Sequence, residues 1–383
     1  GLAVTPVWSD IGANQGSAYG HSLSRAGDVN GDGYDDIIIG EPGYKVGSIS
    51  RGRALVYYGS SAGPSATPSW TYIGTTTDFG RSVSTAGDLN GDGYDDVIVG
   101  TAYGGLDSAS NKGAVLVFYG SSSGLSATPD WQKDGTQSYG QFGHRVSTAG
   151  DVNNDGYDDI IVGAPVNSGA TGQAFVFLGS VSGLSNTPVW TGTGEFSNQI
   201  FGYSVYDAGD VNNDGYDDII IGAPDDNAGG TGKAYVYYGN SSGISATPEW
   251  TATGKINSNF GQWAATAGDY NGDGFSDIIV GAPNNSPYGK AYVYKGSTAG
   301  PSVNSVWTSE GDATSAAYAI TVSTAGDVNN DGYDDVLITP YSPKAFVFHG
   351  ADGVPPSSNY YVLSDTGISA ARNLTGVIIT DSS

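Results

Sequence analysis

The chain repeats itself six times, and this self-similarity limits its fold more than any other property it has. The unit is clearest from Phe201: FGYSVYDAGDVNNDGYDDIIIGAP, a variable stretch, then GKAYVYYGNSSGISATPEW. An anchor aspartate recurs at Asp28, Asp88, Asp151, Asp210, Asp269 and Asp327, at spacings of 60, 63, 59, 59 and 58 residues. Trp8, Trp70, Trp131, Trp190, Trp250 and Trp307 mark the end of the same unit. The repeats cover approximately 11–74, 75–135, 136–194, 195–254, 255–308 and 309–365. The 383 residues are therefore read as one repeat-built domain, 1–383, and not as two or three unrelated ones.

Each unit holds four strands. Ser82–Thr85 and Tyr203–Tyr206 read as a first strand of small and β-branched residues. Asp96–Val99 and Asp218–Ile221 open a second, an apolar run that suits burial on both faces. Ala114–Tyr119 and Ala234–Tyr238 form a third, rich in Val and aromatics, and the stretch Thr247–Trp250 a fourth, whose Pro248 suits an edge. The 61 Gly and the absence of long helical periodicity agree with many short strands and tight turns. Four antiparallel strands in about 60 residues make a β-propeller blade, so the expected class is an all-β propeller. An open β-solenoid is the rival. Joined end to start, Gly376–Ser383 and Gly1–Trp8 reproduce the pattern of Gly120–Trp131. Seven blades are thus expected, the last degenerate and built from 366–383 plus 1–10, with six blades as the alternative; closure would remove the open edge.

The most chemical feature is a nine-residue loop, Asp28-Val29-Asn30-Gly31-Asp32-Gly33-Tyr34-Asp35-Asp36. Asp28, Asn30, Asp32 and Asp36 place oxygen side chains at positions 1, 3, 5 and 9, and Tyr34 at position 7 would offer its carbonyl. The set recurs as Asp88, Asn90, Asp92, Tyr94, Asp96 and as Asp151, Asn153, Asp155, Tyr157, Asp159. It recurs again as Asp210, Asn212, Asp214, Tyr216, Asp218 and as Asp269, Asn271, Asp273, Phe275, Asp277. The last copy is Asp327, Asn329, Asp331, Tyr333, Asp335. Of 39 acidic residues only Glu41, Glu195, Glu249 and Glu310 are Glu, so 35 are Asp, a bias that general surface charge does not require. Three carboxylates clustered around one point repel each other unless a divalent ion sits among them. About six Ca²⁺ ions are expected, offsetting 12 of the 25 formal negative charges, with Mg²⁺ disfavoured because it retains water. An EF-hand needs Glu at position 12, where this chain has Ile39, Val99, Val162, Ile221, Val280 and Ile338. A metal-free Asx-rich turn is the plainer alternative. Position 8 (Asp35, Asp95, Asp158, Asp217, Ser276, Asp334) is read as pointing away from the ion.

Phe142-Gly143 with Gly163-Ala164-Pro165, Phe201-Gly202 with Gly222-Ala223-Pro224, and Phe260-Gly261 with Gly281-Ala282-Pro283 flank these loops. With these motifs in register over nearly its whole length, the chain resembles FG-GAP repeats, the units of the integrin α-subunit propeller. The resemblance implies calcium loops on a lower face, between first and second strands, and ligand binding on an upper face. Departures occur at Tyr19-Gly20 with Gly40-Glu41-Pro42, at Gly100-Thr101-Ala102, and at Tyr318-Ala319 with Thr339-Pro340. Regular short loops and zero Cys suit a bacterial member.

The repeats differ most at Gly43–Arg51, Tyr103–Lys112, Val166–Thr171, Asp225–Thr231 and Asn284–Tyr288, a constant scaffold with one diversified face, as a recognition surface would have, neutral drift in exposed loops being the equal alternative. His21, Arg81, His144, Tyr203 and Gln262 follow Phe-Gly (or Tyr-Gly) and are candidate ligand-binding residues at the mouth of a central channel, packing between blades being the alternative. No nucleophile elbow, phosphate loop or zinc motif is present, and the three His are scattered, so a non-catalytic reading is favoured. The expected function is a calcium-binding, extracellular ligand-binding or adhesion module, monomeric within a larger parent chain. A carbohydrate-binding propeller, with Tyr44, Tyr103, Trp263 and Tyr288 stacking on sugars, or the propeller of a polysaccharide-degrading enzyme, is the alternative. A net charge of −25 excludes nucleic acid as an expected partner, and no apolar run approaches the length of a membrane span.

Overall fold

In the computed structural model, which describes residues 8–12, 16–106, 111–225, 230–312, 317–342, 344–352 and 360–364, each repeat folds into one antiparallel four-stranded sheet in simple meander order. The first sheet consists of Ser22–Gly27, Asp36–Glu41, Arg53–Tyr57 and Trp70–Ile73. The fourth consists of Ser204–Gly209, Asp218–Ala223, Thr231–Tyr237 and Trp250–Ile256. The fold is an all-β propeller of small four-stranded blades, six among the described residues. These form two compact units, one with repeats one to three through Ser197, the other with repeats four to six from Asn198 and the short stretch Val152–Asn154.

Within each unit the apolar residues close the gap between neighbouring sheets. Val29, Ile38 and Val56 of repeat one meet Val97, Leu116 and Phe118 of repeat two. Ala208, Ile220 and Val236 of repeat four meet Ile278, Val280 and Tyr294 of repeat five. The second strand is covered on both faces, every residue of Asp96–Thr101 and Asp218–Ala223 being buried, which explains its unbroken apolar run. Within a unit, the Trp at the end of a repeat packs on the next sheet, as Trp70, Trp131, Trp250 and Trp307 do. Trp70 stands edge-on to Phe118 at 4.9 Å and donates Nε1–H to the Ser126 carbonyl at 2.9 Å. Trp250 does the same to Tyr294 (4.8 Å) and Ser302 (3.0 Å).

The motifs flanking the loops also meet across sheets. Phe79, Phe142, Phe201, Phe260 and Tyr318 are buried, and the following residue is left-handed: φ is +82° at Gly80, Gly143, Gly202 and Gly261. Ala319 keeps that conformation at φ +63°, so the Tyr318-Ala319 departure leaves the turn intact despite its Cβ.

Two expectations need correction. The fourth strand begins at its Trp; the preceding Ser-x-Thr-Pro stretch is a turn, because Pro248 has no N–H to give a ladder and the Ser245 hydroxyl donates to the Thr247 carbonyl at 3.2 Å. Six sheets are found where seven were favoured. Tyr360–Ser364 is the outer strand of the sixth sheet, paired with Lys344–Phe348. Trp8, counted as a further outer strand, lies in a segment without strand structure. That segment is held by side chains: Trp8 edge-on to Tyr57 at 5.0 Å, its Nε1–H on the Ser65 carbonyl at 3.1 Å, and the Tyr19 hydroxyl donating to Asp10 at 2.6 Å. The remainder of the expected closing blade, 366–383 and 1–7, lies outside the described residues.

Candidate functional site

All six Asp-rich loops join a first strand to a second, at the opposite strand end from the variable stretches between second and third strands. Position 12 falls inside the second strand in every copy, which disposes of the EF-hand.

Each loop is organised by its first residue. Asp28 Oδ1 accepts the N–H groups of Gly31 (2.7 Å) and Asp32 (3.1 Å), and Oδ2 accepts that of Gly33 (2.8 Å). The same bond from position 6 to position 1 measures 2.8 Å at Asp88, Asp151 and Asp210, 2.9 Å at Asp269 and 2.7 Å at Asp327. Position 5 accepts from position 7, as Asp32 does from Tyr34 N–H at 3.0 Å. Position 4 is left-handed throughout, occupied by Gly31, Gly91 and Gly272 or by Asn154, Asn213 and Asn330. Sequence reading passed over this position, although only Gly and Asn, the residues that adopt such a backbone most readily, occur there.

Position 9 is the most buried carboxylate of the set, at 0–1 % exposure in all six repeats. Asp36 accepts from Val29 N–H (3.1 Å) and from Gly59 N–H beyond the third strand (2.7 Å); Asp96 accepts from Leu89 and Gly120 at 3.1 and 2.8 Å. Burial pushes Asp36 up to about 7 and Asp96 and Asp218 up to about 8. The backbone N–H groups pull the other way, while the carboxylates at positions 5 and 1 push up further.

Position 8 has a role that spacing did not reveal. Asp95 Oδ2 accepts the backbone N–H of Asp28 in the preceding repeat at 2.8 Å; Asp158 does so for Asp88 and Asp334 for Asp269, both at 2.8 Å. In these three pairs position 8 straps one loop to the loop before it. It also explains the Gly before the anchor, since a Cβ at Gly87 would lie 2.1 Å from Asp158 Oδ2. Where repeat five has Ser276, the backbone N–H still donates to the Asp210 carbonyl at 3.2 Å.

Among the described residues no three acidic or imidazole side chains close into a preformed cage. The donor set still fits a hard cation. Asp214 and Asp210 add to the raised proton affinity of Asp218 within one loop, and the buried Oδ1 atoms of Asn212 and Asn329, at position 3, have no hydrogen-bond partner in the protein. A carboxylate oxygen that accepts one N–H keeps a lone pair for a metal.

The five candidate ligand-binding residues all stand in turns leading into a first strand; His21, Arg81 and His144 bond back to Ala18, Asp78 and Gln141. His21, Arg81, His144 and the adjacent Arg145 share one electrostatic neighbourhood in the first unit, whereas Tyr203 and Gln262 belong to the second. Arg81 also pairs with Asp78 (3.7 Å) and covers Tyr103 (4.9 Å). Burial, then the charges of Arg81 and Arg145, hold His21 down to about 4; burial first and Arg145 next hold His144 well below its ordinary value. Both imidazoles are neutral in the fold, while in the unfolded chain they take protons below about 6.5. Stability is therefore lost as pH falls from about 6.5 toward 4. A His21→Gln/His144→Gln variant is expected to show a shallower fall of melting temperature from pH 7 to 5 than wild type. Equal slopes would refute the neutral assignment.

The FG-GAP repeat family matches residues 19–57, 79–118 and 142–177, and an FG-GAP-like repeat matches 210–280. Integrin alpha-8 of Gallus gallus is 34 % identical over 231 residues, 57 % of this chain and 21 % of that protein. Integrin alpha-6 of Gallus gallus is 30 % identical over 272 residues, 68 % and 23 % of the two chains, and integrin alpha-IIb of Mus musculus is 38 % identical over 163 residues, 40 % and 15 %. The chain thus spans less than a quarter of the length of these relatives. The interlocked Phe-Gly and Gly-Ala-Pro motifs and the loops between them make this chain an FG-GAP repeat protein, homologous over its blades to integrin α subunits.

Proposed function

We propose that the chain is a calcium-loaded extracellular module that binds a partner through the end of its blades opposite the Asp-rich loops, and that it is not an enzyme. One observation carries this reading: constant loops sit at one end of every blade's strands and variable connections at the other. The side chains at positions 1, 3, 5 and 9 would hold the ion, with the position 7 carbonyl. Calcium there supplies the positive charge that an ionised, buried position 9 lacks. Loops of this kind fill at extracellular calcium levels. Kinship to integrin α subunits supports an adhesion role, since integrins are the relatives it matches.

A carbohydrate partner is favoured by a cleft of about 550 Å³ in the second unit, lined by Pro283, Asn284, Asn285, Ser286, Pro287 and Tyr288 among others. Tyr288 is 39 % exposed there, free to stack on a sugar face. The other aromatic candidates are less available: Arg53 covers Tyr44 at 4.1 Å, Arg81 covers Tyr103, and Trp263 packs on Tyr206 at 5.7 Å.

A glycan array and a pull-down from extracellular matrix, each run with calcium and with chelator, test the proposal. Retention of a protein or glycan in calcium alone is expected, without bond cleavage. Retention unaffected by chelator would refute the calcium dependence, and turnover of a bound glycan would refute the non-catalytic reading.

A further inference from the structure

The six loops are not equivalent, because the residue just after each third strand differs. It is Tyr58, Tyr119, Leu178, Tyr238, Lys295 and His349 in repeats one to six. Tyrosine at this place leans on the next repeat: Leu184 N–H donates to Tyr119 Oη at 3.1 Å, and a Cβ at Gly124 or Gly300 would fall 1.6 Å from Tyr58 Oη or Tyr238 Oη. Lys295 instead turns back onto its own loop. Its Nζ lies 2.6 Å from Asp273 Oδ2 at position 5, while Asp273 Oδ1 accepts Phe275 N–H at 3.2 Å, so both oxygens are engaged.

A second feature of loop five points the same way. Asn271, at position 3, donates Nδ2–H to Asp277 Oδ2 at 2.7 Å, and Gly296 N–H reaches Asp277 Oδ1 at 2.7 Å. In loops one and two the position 3 side chain turns its oxygen to the loop, Asn30 Oδ1 and Asn90 Oδ1 accepting from Asp32 and Asp92 N–H at 2.9 Å. In loop five, then, positions 3 and 9 satisfy one another and position 5 is satisfied by an ammonium. A metal would have to break both arrangements.

Resting on the calcium reading, we infer that Lys295 serves as the resident cation of loop five, and that this loop takes no calcium under conditions that fill the loops bearing Tyr or Leu at the same place. A fixed monovalent charge brought by the chain replaces a divalent ion drawn from solution. The strap to loop four remains, through Ser276 N–H, so the loop keeps its structural role without responding to calcium.

The test counts bound ions by equilibrium dialysis with elemental analysis, on full-length wild type, Lys295→Tyr, Asp273→Asn and the double variant. Lys295→Tyr restores the residue of three sister repeats at a site where the lysine side chain is 43 % exposed, and circular dichroism checks that each variant is folded. Lys295→Tyr is expected to bind one ion more than wild type, Asp273→Asn the same number as wild type, and the double variant to lose the gained ion. If wild type binds ions and Lys295→Tyr binds no more, or if Asp273→Asn alone loses one, the inference is overturned while the calcium reading stands. A wild type that binds no ion overturns both.

Discussion

Removing calcium with EDTA is expected to lower the melting temperature by roughly 10–30 °C, and restoring calcium to recover it. An ion bound only by the native state, at a free concentration a hundredfold above its Kd, stabilises by about 2.7 kcal/mol. The first unit carries two whole Asp-rich loops and most of a third, and the second unit carries three, so two or three filled loops contribute about 5–8 kcal/mol to each. A unit of 150–250 residues shifts its transition by about 2–4 °C per kcal/mol. The physical origin is position 9: a carboxylate at 0–1 % exposure, beside two others, is costly to ionise unless a cation sits within reach. Because position 9 also holds the loop to the end of the third strand, as Asp36 does through Gly59 N–H, the cost bears on the blade as a whole. Scanning calorimetry with and without EDTA, with elemental analysis of the same sample, makes the measurement. A chain that carries no metal and melts at one temperature in both conditions would eliminate the calcium reading.

The blade was legible because its signals are local. Second strands such as Asp218–Ala223 announce themselves by unbroken burial, and the loops by residue types that recur at fixed spacing. What escaped were contacts made between repeats, since no single repeat contains both partners. Asp95 looked idle beside Asp96, because the group it serves, the N–H of Asp28, lies 67 residues away. The fourth strand was placed too early for a different reason: Thr247 and Pro248 fit an edge strand by composition, but the hydroxyl of Ser245 makes a turn of them. The shared place after Phe-Gly or Tyr-Gly groups His21, Arg81 and His144, but it does not reach Arg145, the next residue along, whose charge both imidazoles feel. Trp8 misled the blade count, since it docks on Tyr57 as later tryptophans dock on later sheets, yet without a strand around it.

The largest effect of a single substitution is expected at the glycine of Gly-Ala-Pro. Gly222 sits where two sheets of the second unit press together: an added Cβ would lie 2.0 Å from the Gly261 carbonyl oxygen and 2.2 Å from Ser204 Oγ. The obstacle is backbone on one side and, on the other, a buried hydroxyl that already donates to that same carbonyl at 3.2 Å. Neither swings aside as a flexible side chain does, so relief requires moving the sheets apart and loosening the core formed by Ile220, Val236, Ile278 and Val280. Overpacking of a tight interior costs about 1–3 kcal/mol and occasionally more; with backbone as the obstacle, Gly222→Ala is expected at about 3 kcal/mol or above. Gly63→Ala is the control, with φ +95° and nothing within 4 Å, so its cost is that of a left-handed alanine alone, about 1–2 kcal/mol. Conformation alone ranks the two in the reverse order, because Gly222 has no left-handed backbone to strain. The sixth repeat offers a natural comparison: Thr339 stands at the equivalent place, buried against Thr321, and no following Phe-Gly turn exists among the described residues to press on it. Denaturant unfolding of both variants in saturating calcium decides the matter. A Gly222→Ala protein no less stable than Gly63→Ala would show that the two motifs do not meet across the sheets as closely as their spacing requires.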